Sequence, residues 1–445
     1  MKSKLSFFFL AFFTLNLVAQ LPTNTLVGYH ENWYNIKLSQ IHKNYNVVCL
    51  AFAVPKTGST SDMKYNIPAG YTGTSAQKKT SFMADIDALH ADGKKVILSI
   101  GGATGPVQLT NDNEKNEFIS SINSILAEYS YKMDGIDLDF ETTSLAFGSS
   151  WTISAPSAGQ TRVVDAVKSI MSTYKAQTGN KLLLLMAPEV VYVQGGLSNW
   201  GVTNANGGAY LPIIDGLRNE LDLLSVQLYN TGGTSGGAFA WNGQVYYDGT
   251  PEFALAMTET LIKGFTCVQG KGVFSGLPAS KLTFALPAST APNAAGTGYL
   301  STTEVCNAVK YFKGEITKPA GYSYTMGTNY TDLKGLMTWS INEDSYATSG
   351  VYSFADNYPC AFPAGTLTSE LPTDDNQQVG FVYPNPVKQG EYIMLSQRVA
   401  IGYLVNSKGL VVGQYVNVDK IATESLSTGL YTFVSGDGSF KIIVN

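Results

Sequence analysis

The sequence predicts an α/β protein: a closed (β/α)8 TIM barrel followed by a small all-β, sandwich-like domain. Three observations predict it. Eight short apolar runs recur along about the first 340 residues, where stacked parallel strands would need them. Helical periodicity fills the earlier gaps between those runs. A polar stretch with no periodicity then separates them from a tail of short strands punctuated by Gly, Ser and Asp.

The elements follow in order. Met1 to Lys4 carry two lysines, Leu5 to Val18 are almost free of polar residues, and Ala19-Gln20 end the run. That pattern reads as a cleaved export signal over residues 1–19, too short to span a membrane. Residues 20–365 form the expected barrel. Its strand candidates are Thr25–His30, Asn46–Val54, Lys95–Ile100, Gly135–Phe140, Leu182–Ala187, Leu223–Tyr229, Leu282–Leu286 and Gly335–Trp339. Phe118, Ile119, Ile122, Ile125 and Leu126 repeat at helical spacing, as do Val163, Val164, Val167, Ile170, Met171 and Tyr174. The last three crossovers show little periodicity, so the strand count carries the barrel assignment. Residues 366–380, with Pro372 and Asp374-Asp375, read as a linker. Residues 381–445 form the last domain, with strands at Tyr392–Leu395, Gly409–Tyr415, Leu430–Val434 and Phe440–Val444.

Composition narrows the function. With a formal charge of -5, 14% charged residues and three histidines over 445 residues, no basic footprint for nucleic acid exists. Aromatics reach 12%, including 26 tyrosines and five tryptophans, which suits stacking on a neutral ligand such as a sugar or simply an aromatic core. No later run is long and apolar enough to cross a bilayer. No metal-ligand spacing appears, and no cofactor or metal is expected. Of the four cysteines, Cys49 reads as a buried thiol. One pair among Cys267, Cys306 and Cys360 suits an oxidising compartment, with the partners left open.

Barrel chemistry belongs at the carboxyl ends of the strands. There the fourth strand alternates acid and apolar residues: Asp137, Leu138, Asp139, Phe140, Glu141. Successive acids on one face stand about 6.5–7 Å apart along the backbone. Burying them is costly, and they cannot all ionise cheaply, so at least one pKa must rise. A carboxylic acid still protonated near neutrality is what general acid catalysis needs. Asp134 has the opposite parity and reads as a capping or pairing residue. Ser99 ends the third strand ahead of Gly101 and Gly102, which permit a tight turn beside the pocket. His30, His42 and His90 offer no triad for Ser99.

The run Asp134-Gly135-Ile136-Asp137-Leu138-Asp139-Phe140-Glu141 resembles the signature strand of glycoside hydrolase family 18, and Ser99 to Gly102 resembles that family's preceding-strand motif. Met186-Ala187-Pro188-Glu189, Gln227-Leu228-Tyr229-Asn230, Leu286-Pro287-Ala288 with Gly298-Tyr299, and Met337-Thr338-Trp339 look like its bacterial chitinase branch. The resemblance covers residues 25 to about 358. It implies that Glu141 protonates the glycosidic oxygen and then activates water. The 2-acetamido oxygen of the substrate would attack its own anomeric carbon, forming an oxazolinium ion, which is the substrate-assisted exception to two-carboxylate hydrolysis. Asp139 would hold the acetamido N–H and turn between Asp137 and Glu141. Tyr229 would bond the acetamido oxygen, and Trp339 would floor the sugar. Ser99 and Asp137 would tune the proton count; Gln227, Asn230, Tyr29 and Phe52 would complete the pocket, with Gly101, Gly102, Met186 and Glu189 among the substrate-binding positions. Read from the residues alone, Trp339 could be barrel core, Tyr229 could merely pack, and Glu189 could line the cleft or bond barrel backbone. Tyr192, Trp200 and Trp241, placed in loops, could stack on sugars or lie idle.

The resemblance thus implies a monomeric, endo-acting chitinase that retains anomeric configuration, with chitin or N-acetylglucosamine oligosaccharides as its partners. Only 48 residues separate Leu286 from Gly335, too few for the α+β insertion that walls a deep groove in some relatives. An endo-β-N-acetylglucosaminidase acting on the chitobiose core of N-glycans would share the acid row, and a non-catalytic carbohydrate-binding protein could share the barrel. Tyr383-Pro384-Asn385-Pro386, Gly409–Val412 and Leu426 to Tyr431 resemble the sorting domains that Bacteroidetes use for type IX secretion. That implies export-machinery contact and a secreted chain, or one attached to the cell surface after crossing the outer membrane.

Overall fold

The structure, a computed structural model, describes residues 20–231, 238–290, 294–346, 351–363, 382–406, 411–424, 426–435 and 438–445. The expected export segment and linker lie outside these residues. The chain divides into two compact units, Met1–Thr366 and Leu367–Asn445.

The first unit is the barrel. Its strands are β1 (Thr25–Glu31), β2 (Val47–Pro55), β3 (Lys95–Gly101), β4 (Gly135–Asp139), β5 (Leu183–Met186), β6 (Leu223–Leu224), β7 (Thr283–Pro287) and β8 (Gly335–Trp339). They pair in parallel in the order β7-β8-β1-β2-β3-β4-β5-β6, and the bridges Leu224↔Leu282 and Gln227↔Ala285 bring the two ends of that order together. Alternation along each strand sorts the side chains into two apolar layers. Val27, Tyr29, Cys49, Ile97, Leu185 and Met337 fill the barrel interior. Leu26, Val48, Leu98, Ile136, Leu138 and Phe140 face the surrounding helices.

The crossover helices include α1 (Ser75–Ala91), α2 (Asp112–Glu128), α3 (Ala158–Thr178), α4 (Pro251–Lys263), α5 (Thr302–Lys313) and α6 (Ser353–Ala361). Both periodic segments read from the sequence are helices, α2 and α3. Helix α4 buries every residue from Phe253 to Leu261, so it shows no polar face for periodicity to reveal. Trp241, expected in a loop, lies instead in a hairpin pairing Ala238–Trp241 with Gln244–Tyr247. Asn242 and Gly243 turn it with φ of 52° and 79°, the Asn-Gly signature of a two-residue hairpin turn.

Cys306 and Cys360 form a disulfide across 54 residues, joining α5 to α6, while Cys49 and Cys267 are buried thiols. Closing a loop of that length contributes about 4 kcal/mol in the chain-entropy account. Changing both bridged cysteines to serine is therefore expected to lower the melting midpoint by several degrees. An unchanged melt would mean that the bridge adds nothing to the folded state.

Among the described residues the second unit contains five antiparallel strands: β9 (Val382–Tyr383), β10 (Tyr392–Asn406), β11 (Val411–Ala422), β12 (Gly429–Ser435) and β13 (Gly438–Val444). Its own core gathers Val387, Ile393, Leu404, Ile421, Phe433 and Ile442. Strand β10 runs well past Leu395, where polar residues suggested its end, because backbone pairing with β11 carries it on. Asn385, within the Tyr-Pro-Asn-Pro motif, accepts the Ile443 N–H at 2.9 Å and donates to the Lys441 carbonyl at 2.6 Å, tying that motif to β13.

Candidate active site

The alternation of β4 decides where its acids go. Ile136, Leu138 and Phe140 pack outward against the helices, which turns Asp137, Asp139 and, just past the strand, Glu141 inward. Asp137 and Asp139 are 1% and 2% exposed. In register, Ser99 lies opposite Asp137 and Gly101 opposite Asp139. Gly101 has φ of 112°, and a side chain there would put its Cβ 2.4 Å from the Asp139 carbonyl oxygen. Gly102, at φ of 78°, donates its N–H to that oxygen at 2.7 Å and leaves no room for a Cβ against the Phe52 ring. The glycine pair is required here by the close approach of β3 and β2 to the acid row.

Hydrogen bonds divide the three acids into two groups. Asp137 Oδ2 accepts from the Ser99 hydroxyl at 2.6 Å and the Tyr29 hydroxyl at 2.8 Å, while its buried Oδ1 has no partner among the described residues. Gln227 Nε2 lies 2.9 Å from Asp139 Oδ1, 3.1 Å from Glu141 Oε1 and 3.0 Å from the Ala187 carbonyl. Asp139 and Glu141 also hydrogen-bond each other.

Electrostatics follows from burial. Loss of water pushes Asp137 up to about 6, against the pull of its two hydroxyl donors. Asp139 rises well above the carboxylate range, through burial first and then repulsion from Glu141 and Asp137. Glu141 is raised by burial, with the bonds from Gln227 and Asp139 opposing. The Asp139–Glu141 pair therefore keeps a proton where exposed carboxylates would have lost theirs. Buried Tyr229 is pushed well up by desolvation and the neighbouring acids, so its hydroxyl stays a donor.

Above these groups opens a cavity of about 250 Å³, lined by Tyr29, Trp33, Phe52, Ala103, Thr104, Asp139, Glu141, Gln227, Tyr229, Asn230 and Trp339. Phe52 and Trp339 stack at 5.6 Å with planes 9° apart, and Tyr29 and Trp33 lean on Trp339 at 5.7 and 6.3 Å. Asn230 Oδ1 accepts the N–H groups of Gly296 and Thr297 at 2.7 and 3.3 Å. Asp248 Oδ2 binds the hydroxyls of Thr231 and Thr297 at 2.8 and 2.6 Å, so the loops after β6 and β7 are tied together beside Tyr229.

The family model for glycosyl hydrolases family 18 matches residues 25–390. The chain belongs to family 18. It is 38% identical to Chitinase ChiA of Flavobacterium johnsoniae over 81% of its own length and 23% of that protein's. It is 35% identical to Chitinase Chi52 of Paenibacillus xylanexedens over 74% and 60% of the two lengths. The chain thus spans less than two thirds of these relatives. A solved family 18 chitinase from Chromobacterium violaceum superposes with a TM-score of 0.64 at 32% identity, covering 77% of this chain and 84% of that one.

Of the site residues read from the sequence, Tyr29, Phe52, Asp139, Glu141, Gln227, Tyr229, Asn230 and Trp339 line the family 18 cavity, with Ser99 and Asp137 directly behind it. Glu189 stands outside the lining. Its carboxylate accepts the Thr142 N–H at 3.4 Å and is pushed up to about 7 by burial and by the charge of Glu141. Met186 differs from expectation: it is fully buried among the outward-facing residues, because its parity on β5 is that of Leu184. Asp134 pairs structurally, with His90 Nε2 at 2.8 Å and the Val96 N–H at 2.8 Å. Tyr192 is half-buried near Glu189 and Glu141, Trp241 packs on the core, and Trp200 is 68% exposed on a short helix. Trp33, Ala103 and Thr104 were missed. The signal for Trp33 was its place two residues past the end of β1; Ala103 and Thr104 directly follow the glycine pair.

Proposed function

We propose that this chain is an exported chitinase, hydrolysing β-1,4 linkages between N-acetylglucosamine units with retention. The observation that carries the reading is the disposition of the acids. Among the described residues, the carboxylates lining the cavity are Asp139 and Glu141, and they bond each other. A retaining two-carboxylate enzyme holds its acid and nucleophile roughly 5–5.5 Å apart across the sugar. Bonded neighbours on one strand do not supply that second face, so the nucleophile is assigned to the substrate's own 2-acetamido oxygen. Glu141 then donates its proton to the leaving oxygen and later takes one from water. Asp139 holds the acetamido N–H, and the unpartnered Oδ1 of Asp137 is the acceptor available when Asp139 turns away from Glu141. Tyr229 donates to the acetamido oxygen as the oxazolinium ion forms, while Trp339 and Phe52 provide an apolar floor.

The names of the relatives support chitin as substrate. Between β7 and β8 the described residues contain one helix, α5, and no strand, which supports an open cleft and endo cleavage. The Cys306–Cys360 bridge supports folding in an oxidising compartment, and no helix among the described residues is long and apolar enough to cross a membrane. The export segment at 1–19 and the tail module resembling type IX sorting domains, set off by the linker at 366–380, complete the proposal of a monomer released or displayed outside the cell.

Product masses from chitin hexamer, run beside a high-mannose glycoprotein, test the reading. Early release of dimer, trimer and tetramer is expected, with the glycoprotein untouched. Release of N-glycans with the hexamer intact would assign the site to the chitobiose core instead.

A further inference from the structure

Two aromatic residues outside the cavity, half-buried Tyr34 and exposed Tyr346, continue the line of rings that begins at its floor. Trp339 lies 6.3 Å from Trp33, Trp33 6.4 Å from Tyr34, and Tyr34 6.1 Å from Tyr346, centroid to centroid. Trp33 and Tyr346 are 53% and 58% exposed. Solvent-facing rings cost hydrophobic free energy unless something covers them. These are also held from beneath. The Tyr34 hydroxyl donates to Glu343 Oε1 at 2.5 Å, and the Trp33 indole bonds Glu31, which also receives the Ser340 hydroxyl. Glu31 and Glu343 are 2% and 4% exposed, so two buried carboxylates fix Trp33, which faces water, and half-buried Tyr34, on which exposed Tyr346 leans. A purely structural use of those acids, in seating the turn after β8, explains Ser340 but not why anchored Trp33 points outward beside exposed Tyr346.

We infer that Tyr34 and Tyr346 form a further pyranose-stacking subsite, which extends the chitin-binding cleft beyond Trp33; this rests on the proposed chitinase activity. Its polarity follows from the barrel. β8 and β1 lie across the ring from β4, which leads into Glu141. The acid protonates the oxygen of the departing chain, so the sugars over Trp339 and beyond belong to the part retained as the oxazolinium ion. Tyr34 and Tyr346 therefore bind units on the non-reducing side, at least one residue removed from the cleaved bond. Apolar sugar faces suit the platform, since neutral N-acetylglucosamine brings no charge to the two acids beneath it.

The test measures binding of N-acetylglucosamine oligomers, dimer to hexamer, by calorimetry in a Glu141→Gln background. Adding Tyr346→Ala is expected to weaken the hexamer about tenfold and leave the dimer unchanged. Tyr34→Phe, which keeps the ring but removes its bond to Glu343, is expected to cost about threefold, again only for long oligomers. Losses equal at every length, or no loss with either variant, would overturn the subsite while leaving the chitinase reading intact. Failure of the background protein to bind any oligomer would remove both.

Discussion

Glu141→Gln is expected to leave the fold intact and reduce hydrolysis of chitin hexamer by about a thousandfold, within the range that a positioned general acid supplies. The exchange preserves shape, and the new amide can still accept the bond that Gln227 gives Glu141 Oε1. What disappears is the transferable proton. The wild-type rate should also fall on its alkaline side at a pKa above that of an ordinary glutamate. Burial raises the Glu141 carboxyl, so its protonated, reactive form persists to higher pH and is lost only as pH climbs through that raised value. Near-normal hexamer hydrolysis by a variant that melts like the parent would sink the assignment.

Asp139→Asn is expected to cost about a hundredfold, mainly in kcat, with KM for the hexamer changed far less. Asp139 touches both Gln227 and Glu141, and its carboxyl is held protonated by burial and by two neighbouring acids. An asparagine fills the same space and can donate a hydrogen bond, so substrate still binds. It cannot exchange its proton as charge develops on the acetamido group, and that contribution exists only in the transition state. A variant whose KM rises while kcat holds would show that Asp139 merely binds.

Much of this site was legible because strand parity is simple. Acid at every second position of β4, with apolar residues between, forces the acids to one side once the other side meets helices. The same parity, applied to β5, would have excluded Met186, whose neighbour Leu185 takes the inward position. Trp33 was missed for a different reason. Its place two residues past β1 marked it as a strand-end residue, but its reach into the cavity also depends on the closure that sets β1 beside β8. Helix α4 was illegible because burial on all sides erases periodicity, and the hairpin turned by Asn242-Gly243 was read as loop although that pair is its local signal. The pairing of Cys306 with Cys360 rests on the contact of two distant helices, so spacing along the chain could not choose it.

Asp248 and Asn230 have a consequence for how this cleft can change. One carboxylate holds Thr231 and Thr297, and one side-chain amide oxygen holds Gly296 and Thr297, so two segments remote in sequence behave as a single slab behind Tyr229. Neither segment can be lengthened, shortened or grafted from a homologue by itself without shifting the Tyr229 hydroxyl, which the proposed mechanism aims at the reacting sugar. Variation in cleft shape on this flank has to arrive in matched pairs.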